Sequence, residues 1–359
     1  MKGFLALVLA GGLLLTGCSG LPTSREMGDM ALLRTMGVDA VAQGVEVTGS
    51  TGPRAKGLQA EGEGALVLSA QGESLSAACL AMQSLSDNYV FFGYVDQLLL
   101  GEETAQRGVI PVLDYYARDV ELGLGAQLWL VRGETAKKAV ESGGETGVEG
   151  RLSTLQTDGK LGVAAISRTA GEVYADLMEL GSAFVPAVMP GEEENTSLIE
   201  AGYGVLKDGR LLGYLEGETA RGLEILKGRA PAEVLTTELE GEQVSARIIS
   251  ASTVPGLLLR DGVPVGIELN CLVEVELTEY NRPLEGQTRQ VYTDLLEKRL
   301  LKRMEETLTK LQSWQTDCVG LGIRAAFTRP EVWQRVEDVW PECFSELERE
   351  INLNVTVHE

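Results

Sequence analysis

The sequence predicts an α/β and α+β protein: an elongated three-domain body of mixed sheets flanked by helices, with a C-terminal antiparallel sheet covered by a long helix. Three features predict it. Strand-like runs alternate with helical stretches up to about residue 150, an Asp-Gly pair at 208–209 separates two apolar runs, and long strands beyond residue 233 precede one long amphipathic helix.

In order along the chain, residues 19–60 are rich in Gly, Ser and Thr, with a helical patch at Met27 to Leu33, a strand around Gly37 to Thr48 and the loose stretch VTGSTGPRAKG. GALVLSA (64–70) reads as a strand, SLSAACLAMQSL (74–85) as a helix starting at Ser74, and YVFFGYVDQLLL (89–100) as a strand. GEETAQRG and VIPVLDYYARD are two short helices, the second with Pro111 in its first turn. Gly123 and Gly125 in ELGLGAQ make a turn, AQLWLVRG (126–133) is a strand, and ETAKKAVE (134–141) is a helix. Strands joined through helices require crossovers, so this part is expected to be a βαβ-type sheet with parallel pairs.

GGETGVEG (143–150) reads as a linker, which sets the boundaries: an N-terminal α/β domain over 18–150, a middle domain over 151–230, and a C-terminal sheet-and-helix domain over 231–359. The middle segment holds the helix GEVYADLMEL, the extended AFVPAVMP, a hairpin turning at Asp208-Gly209, and a short helix stopped by Gly228. The last segment reads as an antiparallel meander with a second Asp-Gly turn at 261–262. Residues 287–314 then form the longest helix, with Leu301, Met304, Leu308 and Leu311 in its apolar stripe. Thr328 is expected to cap a helix opening with Pro330, in which Trp333, Val336, Trp340 and Phe344 share a core-facing side and Pro341 kinks or ends the run. INLNVTV closes the chain as a strand, with Ile351, Leu353, Val355 and Val357 facing one way.

Composition narrows the function. The formal charge is −22, a surface that repels phosphate backbones and anionic head groups, so nucleic acid is not an expected partner. The chain has one histidine, His358, next to its end. Histidine-based acid–base catalysis, nucleophile triads and zinc sites would want that residue inside the fold. There is no GxxxxGK[ST] loop and no GxGxxG after a strand, and carboxylate pairs such as Glu102-Glu103 are expected by chance in so charged a chain. No catalytic residue, cofactor or metal is expected, and the protein reads as a non-enzyme. Cys79, Cys271, Cys318 and Cys343 are widely spaced, so buried free thiols are expected, with a Cys318–Cys343 disulfide as the alternative.

The start of the chain has an address. Lys2, an apolar run from Phe4 to Leu15 and the small pair Thr16-Gly17 make an export signal over 1–17, too short to span a bilayer that needs roughly 20 helical residues. Leu15-Thr16-Gly17-Cys18 matches a lipobox, in which the Cys18 thiol takes a diacylglycerol and becomes the first residue after cleavage. Cys18 is therefore the expected lipidation site, and two or three acyl chains on it satisfy the two-signal requirement for a stable anchor.

Four blocks resemble one family, the Ger(x)C lipoproteins, the C subunits of bacterial spore germinant receptors. They are REMGDMALLRTMGVD (25–39), LLLGEETAQRGVIPVLDYYARDVELGLGAQLWLVRGETAKKAV (98–140), GYGVLKDGRLLGYLEGETARGLEILKGR (202–229) and DCVGLGIRAAFTRPEVWQRVEDVWPECFSELEREINLNVTV (317–357). They occur in the family's order over nearly the whole length, starting after Cys18. Tyr94 stands where members often carry His, and Leu206 stands before Lys207 where members often carry an aromatic residue. The resemblance implies three α/β domains and a lipid-anchored subunit on the outer face of the spore inner membrane. Its implied partners are the two membrane-spanning receptor subunits, the A-type and the B-type, in a complex that responds to small germinants. On that reading the chain is a non-catalytic docking and stabilising component. The rival from another class is a solute-binding lipoprotein feeding an import permease, which would need a ligand cleft between two similar lobes; an envelope hydrolase working through carboxylates is a third.

Overall fold

In the computed structural model, residues 30–53, 64–156, 165–191, 197–281 and 283–359 are described. The export signal and Cys18 lie outside them. The chain enters through β1 (Met30–Leu32), continues into the hairpin β2 (Thr35–Ala40) and β3 (Val45–Ser50), and adds β4 (Val67–Gly72) antiparallel to β3. The single strand expected over 37–48 is thus two, because the chain turns at positive φ on Gly44. Residues 30–32 of the expected helical patch form a strand rather than a helix, paired parallel to β5 (Tyr89–Phe91).

α1 (Leu75–Gln83) is capped by Ser74, as its sequence indicates. The run 89–100 divides into β5 and β6 (Gln97–Gly101), and a turn in which the Val95 N–H donates to the Phe92 carbonyl sends them into different sheets. α2 (Glu102–Arg107), α3 (Ile110–Arg118), β7 (Gln127–Val131) and α4 (Ala136–Glu141, capped by Thr135) follow as expected. α5 (Glu149–Gln156) occupies the end of the stretch read as a linker and continues past it. α6 (Ala170–Leu180) has a capping box between Thr169 and Glu172.

β8 (Ser182–Pro190), β9 (Leu198–Lys207) and β10 (Arg210–Leu215) complete an eight-stranded sheet in the order β10-β9-β8-β7-β6-β2-β3-β4. Its centre, β2, β6, β7 and β8, is parallel and its wings are antiparallel. The sheet runs across residue 150, so 151–230 carries no sheet of its own. Pro186 has no N–H for a ladder, and the β7–β8 pairing is restricted to residues 130–131 against 187–188. Alternation along the central strands feeds two cores. Leu98, Leu100, Leu128 and Leu130 face α1, α3 and α6, whereas Leu99, Trp129 and Val131 face α4 and α5.

α7 (Glu218–Leu226) leads to the second sheet, β11 (Val234–Leu239), β12 (Glu242–Arg260), β13 (Val263–Glu279) and β14 (Glu348–His358), in that order. The first three strands are antiparallel, but β14 lies parallel to β13. The cause is α8 (Gly286–Trp314): its 29 residues, about 44 Å, carry the chain back along the sheet so that β14 starts beside Gly266. The buried stripe of α8 is Tyr292, Leu296, Leu300, Met304, Leu308 and Leu311, so Leu300 rather than Leu301 takes the core position.

Three short helices fill the return: α9 (Leu321–Thr328), α10 (Pro330–Val336) and α11 (Trp340–Glu346). Thr328 ends α9, its hydroxyl donating to the Arg324 carbonyl, and does not cap α10. Pro341 sits in the first turn of α11 and opens that helix instead of ending one. Trp333, Trp340 and Phe344 do pack together, with ring centroids 5.4 and 6.3 Å apart.

Candidate functional site

The charged residues of the quoted blocks act where elements meet. Asp317 is 3% exposed, and its carboxylate accepts hydrogen bonds from the backbone N–H groups of Gly320, Leu321 and Gly322 and from the Trp340 indole, at 2.7–3.1 Å. One side chain thus joins the turn after α8 to the start of α9 and to α11. A Cβ at Gly322 would stand 2.8 Å from both Trp333 and Trp340, so only glycine lets α9 approach the aromatic cluster. The Asp317 N–H donates to the Ser182 hydroxyl at 3.1 Å, which ties this corner to β8 of the larger sheet.

Around that tie sits a charged joint. Arg168 pairs with Asp176 and lies 4.8 Å above the Phe184 ring; the Lys227 ammonium donates to the Val319 carbonyl at 3.1 Å. Burial pushes Lys227 down and Asp176 up from their ordinary ranges. Farther along, the Glu224 carboxylate is 1% exposed and accepts from the Tyr203 hydroxyl and Arg221, both at 2.8 Å. Its other oxygen has no partner, and burial raises its pKa to about 7 in spite of Arg221. Arg303, also buried, binds Glu218 and Glu233 and locks α8 to α7 and to the start of β11.

The predicted residues are dispersed. Cys18 is outside the described residues. His358 lies at the exposed end of β14, its Nε2 3.7 Å from Glu274. Cys79, Cys271, Cys318 and Cys343 are free thiols. Burial raises Cys318 far above the usual thiol range, so it has no nucleophile's environment. Tyr94 is half exposed and packs edge-on against Phe91, while Leu206 is fully buried between Ala183 and Leu211. Among the described residues, no three His, Cys, Asp or Glu are placed to hold a metal, and no helix is long and apolar enough to cross a membrane.

What the structure adds is surface. A groove of about 310 Å³ lies between β12, at Val254 to Leu257, and α9, with Arg324, Thr328 and Arg329 on its helical wall. Phe327, on the same helix, is 85% exposed. Sequence reasoning passes over Phe327 because FTRP reads as a helix boundary, and nothing in spacing tells an exposed phenylalanine from a core one. An aromatic flanked by arginines on an otherwise acidic protein has the composition of an interface anchor.

Comparison with known proteins gives two matches in series. Residues 23–189 match the spore germination protein N-terminal domain, and residues 201–359 match the family described as spore germination B3/GerAC like, C-terminal. Spore germination protein B3 of Bacillus subtilis (strain 168) is 24% identical over 321 residues, which cover 85% of this chain and 84% of that protein. The crystal structure of the GerBC protein superposes with a TM-score of 0.60 at 19% identity, over 90% of this chain and 96% of that one, a likeness that speaks to the fold.

Proposed function

The chain belongs to the Ger(x)C family of spore germination proteins, and from that premise we propose that it is the lipid-anchored, non-catalytic docking subunit of a germinant receptor. In this reading Cys18 carries the lipid, the outer face of the spore inner membrane is the address, and the A-type and B-type membrane-spanning subunits are the partners. The observation that carries the docking role is the exposed side of α9: Phe327 is 85% exposed there, and Arg324 and Arg329 of the same segment line the β12 groove. The buried charges serve the fold in this reading: each of Asp317, Glu224 and Arg303 is held by neighbours that position helices rather than left open toward solvent.

The test is to solubilise spore membranes in mild detergent and recover the protein through a C-terminal tag. Both polytopic receptor subunits are expected with the wild type, and their recovery is expected to fall at least tenfold with Phe327→Ala combined with Arg324→Glu. Cys18→Ala is expected to abolish fatty-acid labelling and to shift the protein to the soluble fraction or leave it uncleaved. Recovery of a permease with its ATPase instead would make the chain a solute-binding lipoprotein.

A further inference from the structure

A second surface stands at the place where the chain enters the fold. Leu80 is 73% exposed, Leu85 52%, Tyr94 49% and Val120 98%. Leu80 and Val120 face a shallow hollow of about 220 Å³ that Tyr89 also lines. The end of α1 is stitched to β5, the Gln83 side chain donating to the Val90 carbonyl at 2.7 Å and accepting from its N–H at 3.0 Å. Val120 itself sits in the turn that Asp119 closes by accepting from the N–H groups of Glu121 and Leu122 on its far side.

Two observations decide what this surface meets. Met30 lies opposite Tyr89 in the β1–β5 pair, and Cys18 is twelve positions upstream, so the acyl chains cannot be farther than about 43 Å from this point of the fold. The acids beside the hollow are turned inward: Glu121 accepts from the Tyr89 hydroxyl at 2.8 Å and the Phe92 N–H at 3.2 Å, and Asp119 accepts from the N–H groups of Glu121 and Leu122. Asp87 is an exposed carboxylate at the rim. On a chain of net charge −22, this end, Asp87 apart, thus presents aliphatic side chains and tyrosines where carboxylates would be repelled by lipid phosphates.

We propose that the Leu80, Leu85, Tyr94 and Val120 surface seats on the lipid bilayer that anchors Cys18, so that the protein is held at the membrane in one orientation and not as a ball on a string. The inference rests on the anchor reading above. The aliphatic side chains enter the acyl boundary and the Tyr94 ring stays at head-group depth.

The test uses the acylated protein in phosphatidylcholine vesicles whose acyl chains carry bromine, with Val120→Trp at the surface and Val263→Trp at the β12–β13 turn of the second sheet. Relative to the wild type, whose four tryptophans give the background, Val120→Trp is expected to add emission that brominated lipid quenches by at least half, and Val263→Trp emission that it leaves unchanged. Acylated, vesicle-bound protein in which Val120→Trp is not quenched, or in which both positions are quenched alike, overturns the orientation while leaving the anchor intact. Protection of Val120→Trp only when the membrane-spanning subunits are present overturns it in favour of a protein partner. An unacylated Cys18 by mass spectrometry, with no vesicle retention, removes the anchor reading and this inference together.

Discussion

Asp317 shows why a buried acid can be indispensable without being reactive. Four donors converge on its two oxygens, and each left unmatched in the interior costs about 1–3 kcal/mol. Asp317→Ala is therefore expected to lower unfolding stability by about 3–5 kcal/mol in denaturant titration, and Asp317→Asn by less, since one oxygen remains to accept. Glu224 gives a second residue-level outcome. Its carboxyl keeps its proton up to about pH 7 in the fold, whereas the unfolded group releases it near the ordinary glutamate value of 4.5. Between those values the folded state binds more protons, so this group's contribution to stability falls as pH rises through that window and is level above it. With Arg221, Glu200 and Tyr203 facing it, the wild type is expected to lose on the order of 3 kcal/mol relative to Glu224→Gln between pH 4.5 and 7.5. Parallel pH curves for the two proteins would count against that assignment. The block opening at Asp317 was legible as a family resemblance, but its backbone capture was not, since only the fold brings the N–H groups of Gly320, Leu321 and Gly322 onto that carboxylate. The protonation of Glu224 was not, since in sequence GLEILKG is an ordinary helix with an ordinary glutamate.

Among elements, the contact that fixes the second core is α7 on α8. A Cβ on Gly222 would fall on the Thr307 hydroxyl inside hard-contact distance and would stand 2.7 Å from the Arg303 carbonyl. Gly222→Ala is expected to cost about 1–3 kcal/mol by forcing the helices apart. Thr307→Ala removes the first obstacle, so the double variant is expected to be less destabilised than the sum of the two singles, and additive values would show that the helices do not meet there. Helices with clean caps were readable from sequence: α1 from Ser74, α4 from Thr135 and α6 from Thr169. Both Asp-Gly turns were readable too, and they adopt positive φ at both residues. The misreadings arose where long-range pairing decides. Residues 30–32 are a strand because β5 is available to pair with them, and β14 is parallel because α8 returns the chain to the sheet's other end.

At the scale of the molecule, the two sheets share one core. Phe184, Tyr203 and Leu215 of the eight-stranded sheet belong to the same buried cluster as Leu269 of β13 and Trp340 of α11. Polar ties cross at the same place: Ser182 to Asp317, Lys227 to Val319, Lys207 to Gln315 at 2.8 Å, and the Lys310 ammonium to the Tyr214 carbonyl at 2.7 Å. The two family matches part between residues 189 and 201, between β8 and β9, which are hydrogen-bonded neighbours along most of their length. A cut there would strip β8 from β9, leaving β9 only its β10 neighbour, and would take the Tyr203 ring away from Phe184, so the halves should stand or fall together. Calorimetry of the protein is therefore expected to give one transition, with calorimetric and van't Hoff enthalpies in agreement. Asp317→Ala, which loosens the corner where the two sheets meet, is expected to split that transition into two. Two transitions in the wild type would instead mean that the shared core transmits too little free energy to couple the sheets.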